Sequence, residues 1–438
     1  MMTGKRLVSP RRALLAVGCT VALAALLVVL DVTGQAGAAG SPDVTVFQFG
    51  GLGNFGSSGG FVGYSVGTIS CNRGDLPLNW CSNGGGCAPG AGPLDHPVIA
   101  QNLYRLKNGR FDQIGMSWVK HGFLSLNTTR SGCNGSSGQT CTQPPAGGAQ
   151  LGVGCTDAYS AGLNGSQPLG RRSEVNATTG VFPAPSSPAG PYSVYDERIK
   201  VAVTDVDPAN NAGALYFAEG QYIARDDANA ENAFNNASHQ RVTVGASPSF
   251  NLSLVSGAFV EMLPAIYAWR AQDPTVNINN ADVPGGITER YQVARKVTNL
   301  GDGHWHYEFA VHNMNSNRSA RAFTVEFSGA TGFTNVGFEG IKHHSGEPYA
   351  TDDWVPSTTA NSITWSTDTF ATNPNAHALR WATMFNFWFD TDQPPGNSTV
   401  QTVGLFTPGD PASVEVTIVD LLNDSFESGD STRWISSP

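Results

Sequence analysis

Frequent turn residues constrain the fold of this chain more than any other feature of the sequence. The 438 residues include 51 glycines and 26 prolines, and they separate short segments in which apolar and polar residues alternate. Helical periodicity is nearly absent. Only Ala258 to Arg270 could hold a short helix, and Pro264 interrupts it. The pattern predicts an all-β fold built from β-sandwich or jelly-roll-like domains.

The strongest alternating segments lie in the second half of the chain, where Asp/Asn-rich turns separate them. The segments Glu289–Thr298 and His304–His312 resemble two strands of a hairpin closed at Leu300–Gly303. The other predicted strands are 198–206, 216–223, 322–327, 362–366, 378–389, 400–406 and 413–419.

Composition divides the chain at about residue 190. A Gly/Cys-rich segment spanning 41–190 ends in a Pro/Ser/Gly stretch, and the longer alternating segments follow over 195–420. We therefore predict two β domains with a flexible polar tail at 421–438.

The first 39 residues have the layout of a secretory signal peptide. Four basic residues precede the apolar run Ala13–Leu30, and small residues then offer cleavage after about Ala38 or Ala39. An uncleaved anchor is the alternative. Cleavage predicts a secreted, periplasmic or cell-surface protein with no stable membrane insertion.

Six cysteines remain once Cys19 is removed with the leader: Cys71, Cys81, Cys87, Cys133, Cys141 and Cys155. An even number in an exported chain predicts three disulfides in the first domain, with the pairing left open. A structural zinc site is the rival interpretation, although the spacing lacks the usual paired C-x2-C form.

The charge balance limits the partners. Lys and Arg number 25 against 35 Asp and Glu, which gives a formal net charge of -10. This acidity argues against nucleic acid or an anionic membrane as a partner. An extracellular small molecule or a polysaccharide remains.

The segment His304–His312 carries the most informative pattern. On a strand, Trp305 and the apolar residues after it share one face, while His304, His306, Glu308 and His312 share the other. The imidazoles of His304 and His306 would stand about 6.6 Å apart, close enough to bind one metal. His312 is about 20 Å away along the strand and cannot join them.

A third ligand would come from His343 or His344, with Glu347 or Asp353 as oxygen ligands. An imidazole-rich site outside the cell suits copper or zinc, and copper is preferred here. The alternative is a sheet face that carries histidines into solvent. His96 and His121 are each isolated beside apolar residues, which is more typical of hydrogen-bonded structural histidines.

Two further motifs have weaker claims. The run Gly63–Gly67 matches the G-x-S-x-G pattern of a serine hydrolase, but it lacks the strand-turn-helix context. The Asp/Asn-rich turns at 205–211 and 226–229 could bind structural calcium, but they do not follow the EF-hand spacing.

Tryptophans are concentrated in the predicted second domain, and an exposed row of them could stack on sugar rings. They are Trp269, Trp305, Trp354, Trp365, Trp381 and Trp388.

Five segments carry a resemblance to a group of exported bacterial β-sandwich proteins to which no activity is assigned. They are His96–Asn102, Ser117–Gly122, Tyr307–Ser316, His344–Pro348 and Leu379–Trp381. The resemblance covers most of the mature chain and implies no catalytic residues. The tail 425–434 resembles a short C-terminal element of exported or surface proteins of gamma-proteobacteria.

The His-x-His and His-His pairs also resemble, in content alone, the copper sites of peptidylglycine-type copper monooxygenases. That family divides these pairs between two domains, whereas both lie in one predicted domain here. Two hypotheses follow. The first is a copper-dependent oxidoreductase with His304, His306, His343 and His344 as ligands. The second is a non-catalytic surface or matrix protein that binds polysaccharide through an aromatic face.

Overall fold

The computed structural model describes residues 40–82, 86–186, 190–329, 331–395 and 399–418. The predicted signal peptide at 1–39 and the tail at 421–438 lie outside this range. Within it, no helix is both long enough and apolar enough to cross a membrane.

Strands dominate the described residues, so the predicted all-β class is confirmed. The strands of the first part of the chain are β1 (Val44–Ser58), β2 (Phe61–Asn72), β3 (Leu78–Asn79), β4 (Val98–Lys107), β5 (Arg110–Met116), β6 (Lys120–His121), β7 (Gln150–Leu151), β8 (Thr156–Tyr159), β9 (Ile199–Ala202), β10 (Leu215–Ile223), β11 (Ala237–Val244) and β12 (Leu252–Val260). Those of the later part are β13 (Asn277–Val283), β14 (Glu289–Asn299), β15 (Trp305–Asn313), β16 (Ala320–Glu326), β17 (Thr334–Gly340), β18 (Val355–Thr358), β19 (Ser362–Ser366), β20 (Thr383–Thr391), β21 (Thr399–Leu405) and β22 (Ser413–Ile418).

The described helices are short. The α-helices are α1 (Ala161–Asn164), α2 (Val203–Val206), α3 (Arg225–Asn229) and α4 (Ile266–Gln272), and 3-10 turns occur at Gly147–Ala149, Arg172–Glu174 and Ala233–Asn235. Helix α4 begins just after Pro264, because a proline can precede the first turn of a helix but cannot sit inside it. The strand expected at 198–206 is shorter than predicted, since its second half forms α2.

The strands form two large layers and a covering sheet. A ten-stranded sheet has the order β1-β2-β9-β5-β4-β10-β11-β12, with β6 beside β4 and β8 beside β2. This first sheet curls over its own core, because Phe49 on β1 packs edge-on against Phe259 on β12 with ring centroids 5.2 Å apart. The strands β3 and β7 pair separately.

Two five-stranded sheets form a sandwich in the later part of the chain. The second sheet has the order β13-β14-β15-β20-β17 and the third the order β18-β19-β16-β21-β22. Aromatic rings fill the space between them, with Phe323 packed 4.8 Å from Phe387 and Tyr307 5.1 Å from Phe389 between centroids. This is the predicted hydrophobic face of the histidine-bearing strand.

The opposite face of the second sheet is also buried, because it packs on the first sheet. Phe111 and Phe217 from the first sheet share a core cluster with Ala294, Ala310 and Met384 from the second. On β15, Glu308 and His312 are therefore only 4% and 1% exposed. The solvated polar face considered for this strand is wrong, since a sheet covered on both sides leaves only its ends in water.

The change of sheet does not fall at the compositional boundary near residue 190. Strands β9 to β12 follow that boundary, yet β9 pairs with β2 and β5, and β10 pairs with β4. The first sheet thus takes strands from both sides of the Pro/Ser/Gly stretch. The chain leaves the first sheet after Val260 and enters the second sheet at Asn277.

The described residues contain two disulfides, Cys71–Cys133 and Cys141–Cys155, rather than the three predicted. Cys81 and Cys87 are free thiols. Their side chains are hydrogen-bonded to one another, and burial together with this contact raises the pKa of Cys81 to about 12. Two of the three predicted disulfides are therefore present among the described residues, and the cysteines expected to form the third are unbonded.

Thiol labelling tests this pairing. The native mature protein should react with a maleimide at the partly exposed Cys87 and not at the buried Cys81, because the thiolate is the reactive form. Unfolding without reductant should release both thiols, and mass spectrometry would then count two labels. A protein with no label after such unfolding would contain a third disulfide and contradict this assignment.

Candidate functional site

The structure separates the four histidines predicted as metal ligands. His306 on β15 lies opposite Asp390 on β20, whereas Gly340, just before the His343–His344 segment, lies opposite Phe385. Five residues of β20 span roughly 17 Å. The two histidine pairs therefore stand near different ends of this strand and do not converge on one point.

His304 and His306 lie at one end of the second sheet, where carboxylates already contact their ring nitrogens. The Nδ1 atom of His304 lies 3.2 Å from the Asp302 carboxylate in an exposed turn. His306 Nδ1 lies 2.6 Å from Asp390 and its Nε2 3.4 Å from Glu308. Hydrogen bonds to these two carboxylates, Glu308 first, raise the pKa of His306. Both nitrogens of His306 thus face carboxylates within its own cluster.

Glu308 connects this cluster to the first sheet. Arg110 on β5 donates to both Glu308 carboxylate oxygens, at 2.7 and 2.9 Å. The same guanidinium lies 3.6 Å from the centroid of the Trp388 ring. These contacts join the first and second sheets. They also explain why β15 has a charged residue, Glu308, on its buried polar face.

His343 is buried beside a small cleft lined by Arg172, Tyr349 and Arg380, among others. Its ring packs against Tyr349 and His377, with centroids 4.9 and 5.3 Å away. The cleft has a volume of about 10 Å³, which is the space that one water molecule needs. Burial lowers the pKa of His343, so it is a neutral residue of the interior.

His344 has a positioning role in the backbone. Its Nε2 lies 3.1 Å from the carbonyl oxygen of Tyr195 and 3.0 Å from that of Arg198. A nitrogen that contacts two carbonyls carries the proton and donates to them. His344 therefore fixes the turn between Tyr195 and Arg198 and is not free to bind a metal through this atom.

Among the described ranges, no group of three or more His, Cys, Asp or Glu side chains is disposed to hold a metal ion. The residues proposed for calcium already accept hydrogen bonds from the protein. Asp227 accepts from the backbone of Val44 and the side chain of Asn236, and Asp205 pairs with Arg105. The predicted copper ligands do not fit a common centre, and the likeness to copper monooxygenases has no support.

The remaining motifs also have structural explanations. Ser65 of the G-x-S-x-G run lies within β2, where its hydroxyl donates to the Ala161 carbonyl at 2.6 Å. His96 and His121, which appear isolated in sequence, contact each other through Nε2 and Nδ1 at 3.1 Å. Burial lowers their pKa values to about 4 and about 3. Sequence gave no signal for this pair because 25 residues separate them.

The predicted row of exposed tryptophans is wrong. Of the six considered, Trp269, Trp354, Trp365 and Trp381 are at most 4% exposed. Trp305 and Trp388 are partly exposed, but the Trp388 ring lies beneath Arg110. Their large apolar area is used in the cores, so an aromatic binding surface must come from other residues.

Such a surface lies at the end of the first sheet. Three partly exposed rings, Phe55, Phe61 and Tyr195, lie beside two cations, Arg198 and Lys200. Arg198 lies 3.7 Å from the Phe55 ring centroid, and the Lys200 ammonium lies 4.3 Å from Phe61 and 5.0 Å from Tyr195. We call these five residues the aromatic–cationic patch.

Local sequence explains how the patch reaches solvent. Ile199 and Val201 of β9 are fully buried, so Lys200 between them points to the opposite face. Arg198, which directly precedes the strand, is also partly exposed. Phe61 begins β2 after a Gly59–Gly60 turn in which both glycines have positive φ, the conformation that a two-residue hairpin turn requires. The ring centroids of Phe61 and Tyr195 lie 5.5 Å apart.

Close backbone approach holds the patch together. A side chain at Gly63, which lies opposite Lys200, would collide with the Val194 carbonyl. Glu197 has a φ of 62°, unusual for a residue other than glycine. Its backbone carbonyl accepts from Trp118 N–H at 2.8 Å, and its carboxylate accepts from Leu169 N–H at 2.7 Å. The turn is therefore fixed from several sides in addition to His344.

Neither cation of the patch has a carboxylate within ion-pair distance among the described residues. Arg198 donates to the backbone carbonyls of Gly165 and Val194. Partial burial lowers the pKa of both Arg198 and Lys200. The carboxylates nearest in sequence accept hydrogen bonds from backbone groups instead: Asp196 from Ser193 N–H and Glu197 from Leu169 N–H.

The patch could have been suspected from Tyr195-Asp-Glu-Arg-Ile-Lys200, where aromatic and basic residues frame a buried strand. Its other half, Phe55 and Phe61, lies more than 130 residues earlier. Only the pairing of β2 with β9 brings the halves together.

Comparison with known proteins adds no identification. No family model and no curated protein matches the chain. Among solved structures, the N-terminal domain of the Streptococcus gordonii adhesin Sgo0707 is 9% identical with a TM-score of 0.18, and the match covers 82% of this chain and 60% of that one. This chain therefore spans less than two thirds of that domain.

Two other solved structures show similar values. A serine-rich repeat protein from Streptococcus agalactiae is 10% identical with a TM-score of 0.20, covering 91% of this chain and 97% of that one. A partial N-terminal region of an enterococcal surface protein is 6% identical with a TM-score of 0.18, covering 88% and 98%. At such low TM-scores these likenesses carry no argument about fold or function.

Buried neutral histidines should make stability depend on pH, and His312 offers the clearest test. It is 1% exposed, its Nδ1 lies 2.7 Å from the Gln292 side-chain oxygen, and burial lowers its pKa to about 3. An unfolded histidine binds its proton near pH 6.5. His312 therefore contributes stability above pH 6.5 that is lost as the pH falls toward its folded pKa.

The measurement is the free energy of unfolding of wild type and His312→Asn between pH 7 and 4. The difference between them should shrink on acidification by up to about 1.4 kcal/mol per pH unit. Gln292→Met is the control, because it removes the same hydrogen bond but keeps the titrating ring, so its offset from wild type should stay nearly constant. Parallel profiles for wild type and His312→Asn would show that this histidine is not held neutral.

Proposed function

We propose that this protein is an exported, non-catalytic surface or matrix protein that binds polysaccharide at the aromatic–cationic patch. The observation that carries the proposal is the patch itself, in which partly exposed rings and cations are fixed on a constrained turn. Aromatic rings suit sugars because the C–H face of a pyranose packs on an apolar ring while its hydroxyls remain free for polar groups.

The rigidity of the turn supports a binding role. Ordering a flexible loop on association costs binding free energy, so a surface held in place before binding loses less. Contacts from Trp118, Leu169 and His344 hold the backbone of the patch. Glu197 in this turn has the strained φ of 62°, and strained backbone is typically found where a protein binds or reacts.

The copper-dependent oxidoreductase has no comparable observation in its favour. His304 and His306 face carboxylates, His343 lies beside a cleft that admits about one water, and His344 donates to backbone carbonyls. The predicted signal peptide and the two disulfides support an extracytoplasmic location for the binding function.

Affinity electrophoresis tests the proposal. The mature chain should migrate more slowly in native gels that contain at least one polymer from a set of dextran, xylan and polygalacturonate. Replacing both Phe61 and Tyr195 by alanine should weaken the apparent affinity on the order of tenfold, because the stacking surface is lost.

Phe370→Ala is the matched control, since Phe370 is an aromatic residue that is 38% exposed outside the patch. It should leave the retardation unchanged, and circular dichroism would confirm that all variants fold. Retardation by none of the polymers, or equal retardation of wild type and the double variant, would overturn the proposed function.

His344 allows a test of the positioning role. His344→Gln keeps an N–H donor for the carbonyls of Tyr195 and Arg198, whereas His344→Leu removes it. We expect the affinity of His344→Gln to stay within about twofold of wild type. The affinity of His344→Leu should fall several-fold, because a hydrogen bond that holds the turn is lost. Equal affinities in these two variants would show that His344 does not position the patch.

A further inference from the structure

The two cations of the patch determine which polysaccharides it would recognise. Arg198 directly precedes β9 and Lys200 lies within it, with the buried Ile199 between them. Two residues of extended chain span roughly 6.6 Å. That spacing is comparable to the length of a sugar residue. Both charges could therefore act on neighbouring parts of one polymer chain.

These cations differ from five arginines of the described residues that are neutralised by carboxylates. Arg73, Arg105, Arg110, Arg225 and Arg290 each form an ion pair with a carboxylate. Within the described ranges, Arg198 and Lys200 form no such pair. The two cations of the patch thus carry positive charge at its surface, in a chain whose acidic residues outnumber basic ones by 35 to 25.

The environment of each cation leaves its charge available. Lys200 lies over two rings, which attract the ammonium without neutralising it. Arg198 donates from Nε to the Gly165 carbonyl and from Nη1 to the Val194 carbonyl, while Nη2 has no such contact with the residues that the structure describes. A guanidinium with a free nitrogen and an ammonium are both suited to a carboxylate ligand.

The acids near the patch do not fill this role. Asp196 lies between Tyr195 and Arg198 in the sequence, but its carboxylate accepts a hydrogen bond from Ser193 N–H at 2.8 Å. Glu197 is 2% exposed and its carboxylate accepts from Leu169 N–H. Both carboxylates accept from backbone donors, and neither forms an ion pair with Arg198 or Lys200 among the described residues, although their charges oppose the lowering of the Arg198 pKa by burial.

We propose that the ligand is an acidic polysaccharide. Its uronate carboxylates pair with Arg198 and Lys200, while its sugar rings pack on the partly exposed surface of Phe61 and Tyr195 that Lys200 does not cover. This inference rests on the proposed function and names its ligand class. The net charge of the protein repels a polyanion at long range, so recognition depends on short contacts at the patch and weakens with added salt.

The experiment compares polygalacturonate with the same polymer after its carboxyl groups are reduced to alcohols. The mature chain should bind the native polymer at least tenfold more tightly at low salt. Lys200→Met and Arg198→Gln should each reduce affinity for the native polymer roughly three- to tenfold and flatten its dependence on salt. Both variants should bind the reduced polymer as wild type does.

Arg270→Gln is the matched control. Arg270 also lies over a tyrosine ring, 5.4 Å from the centroid of Tyr267, but outside the patch. Its loss removes one positive charge and should leave binding unchanged. Equal loss in this variant would show that net charge, rather than the patch, controls binding, and would overturn the inference.

Two outcomes separate this inference from the proposed function. If wild type binds native and reduced polymers equally, the preference for acidic sugars is wrong while polysaccharide binding stands. If the chain binds neither polymer, nor dextran or xylan, the proposed function and the inference fail together.

Discussion

A single buried guanidinium connects the parts of this fold. Arg172 is 3% exposed and donates to the carbonyl oxygens of Ser117, Gln101 and Ala382 and to the side-chain oxygen of Asn102. Burying such a charge is costly unless its donors are used and opposite charge is near. The Ala382 carbonyl directly precedes β20. The desolvation cost of Arg172 is therefore compensated fully only when the first and second sheets are packed together.

The opposite charge is supplied from the same layer. Glu219 accepts from Asn102 and Tyr104, and Glu347 accepts from the backbone of Arg172 at 2.7 Å. Burial raises the pKa of both carboxyls while nearby Arg172 lowers it. Because these residues come from distant parts of the chain, the polar layer specifies one mutual arrangement of the sheets, in addition to what apolar packing alone would select.

This layer also explains which features could be predicted from sequence. Alternation located β14, β15, β19 and β21 to within about two residues, because each buries at least one apolar face. It could not show that the second face of β15 is covered, since Glu308 and His312 are residues expected in water. Their partners, Arg110 and Gln292, lie on other strands, and tertiary pairing rather than local pattern decides their burial.

The same limit applies to the site. The sequence shows His343 and His344 as a pair of imidazoles, but the hydrogen bonding of His344 depends on two carbonyls about 150 residues earlier. Tryptophans offer the largest aromatic area, and for that reason four of the six in the later part of the chain are buried in the cores. Smaller rings, Phe61 and Tyr195, are left at the sheet end, where strand pairing rather than sequence proximity groups them.

Covering both faces of the second sheet leaves strand ends and turns as the surfaces where this protein can meet a ligand. At the aromatic–cationic patch, the turn is supported by Trp118 and Leu169 from the earlier part of the chain and by His344 from the later part. The sheets that Arg172 holds together are therefore the same ones that position the patch. Because that position is fixed before any ligand arrives, the cost of ordering the surface belongs to folding and not to binding.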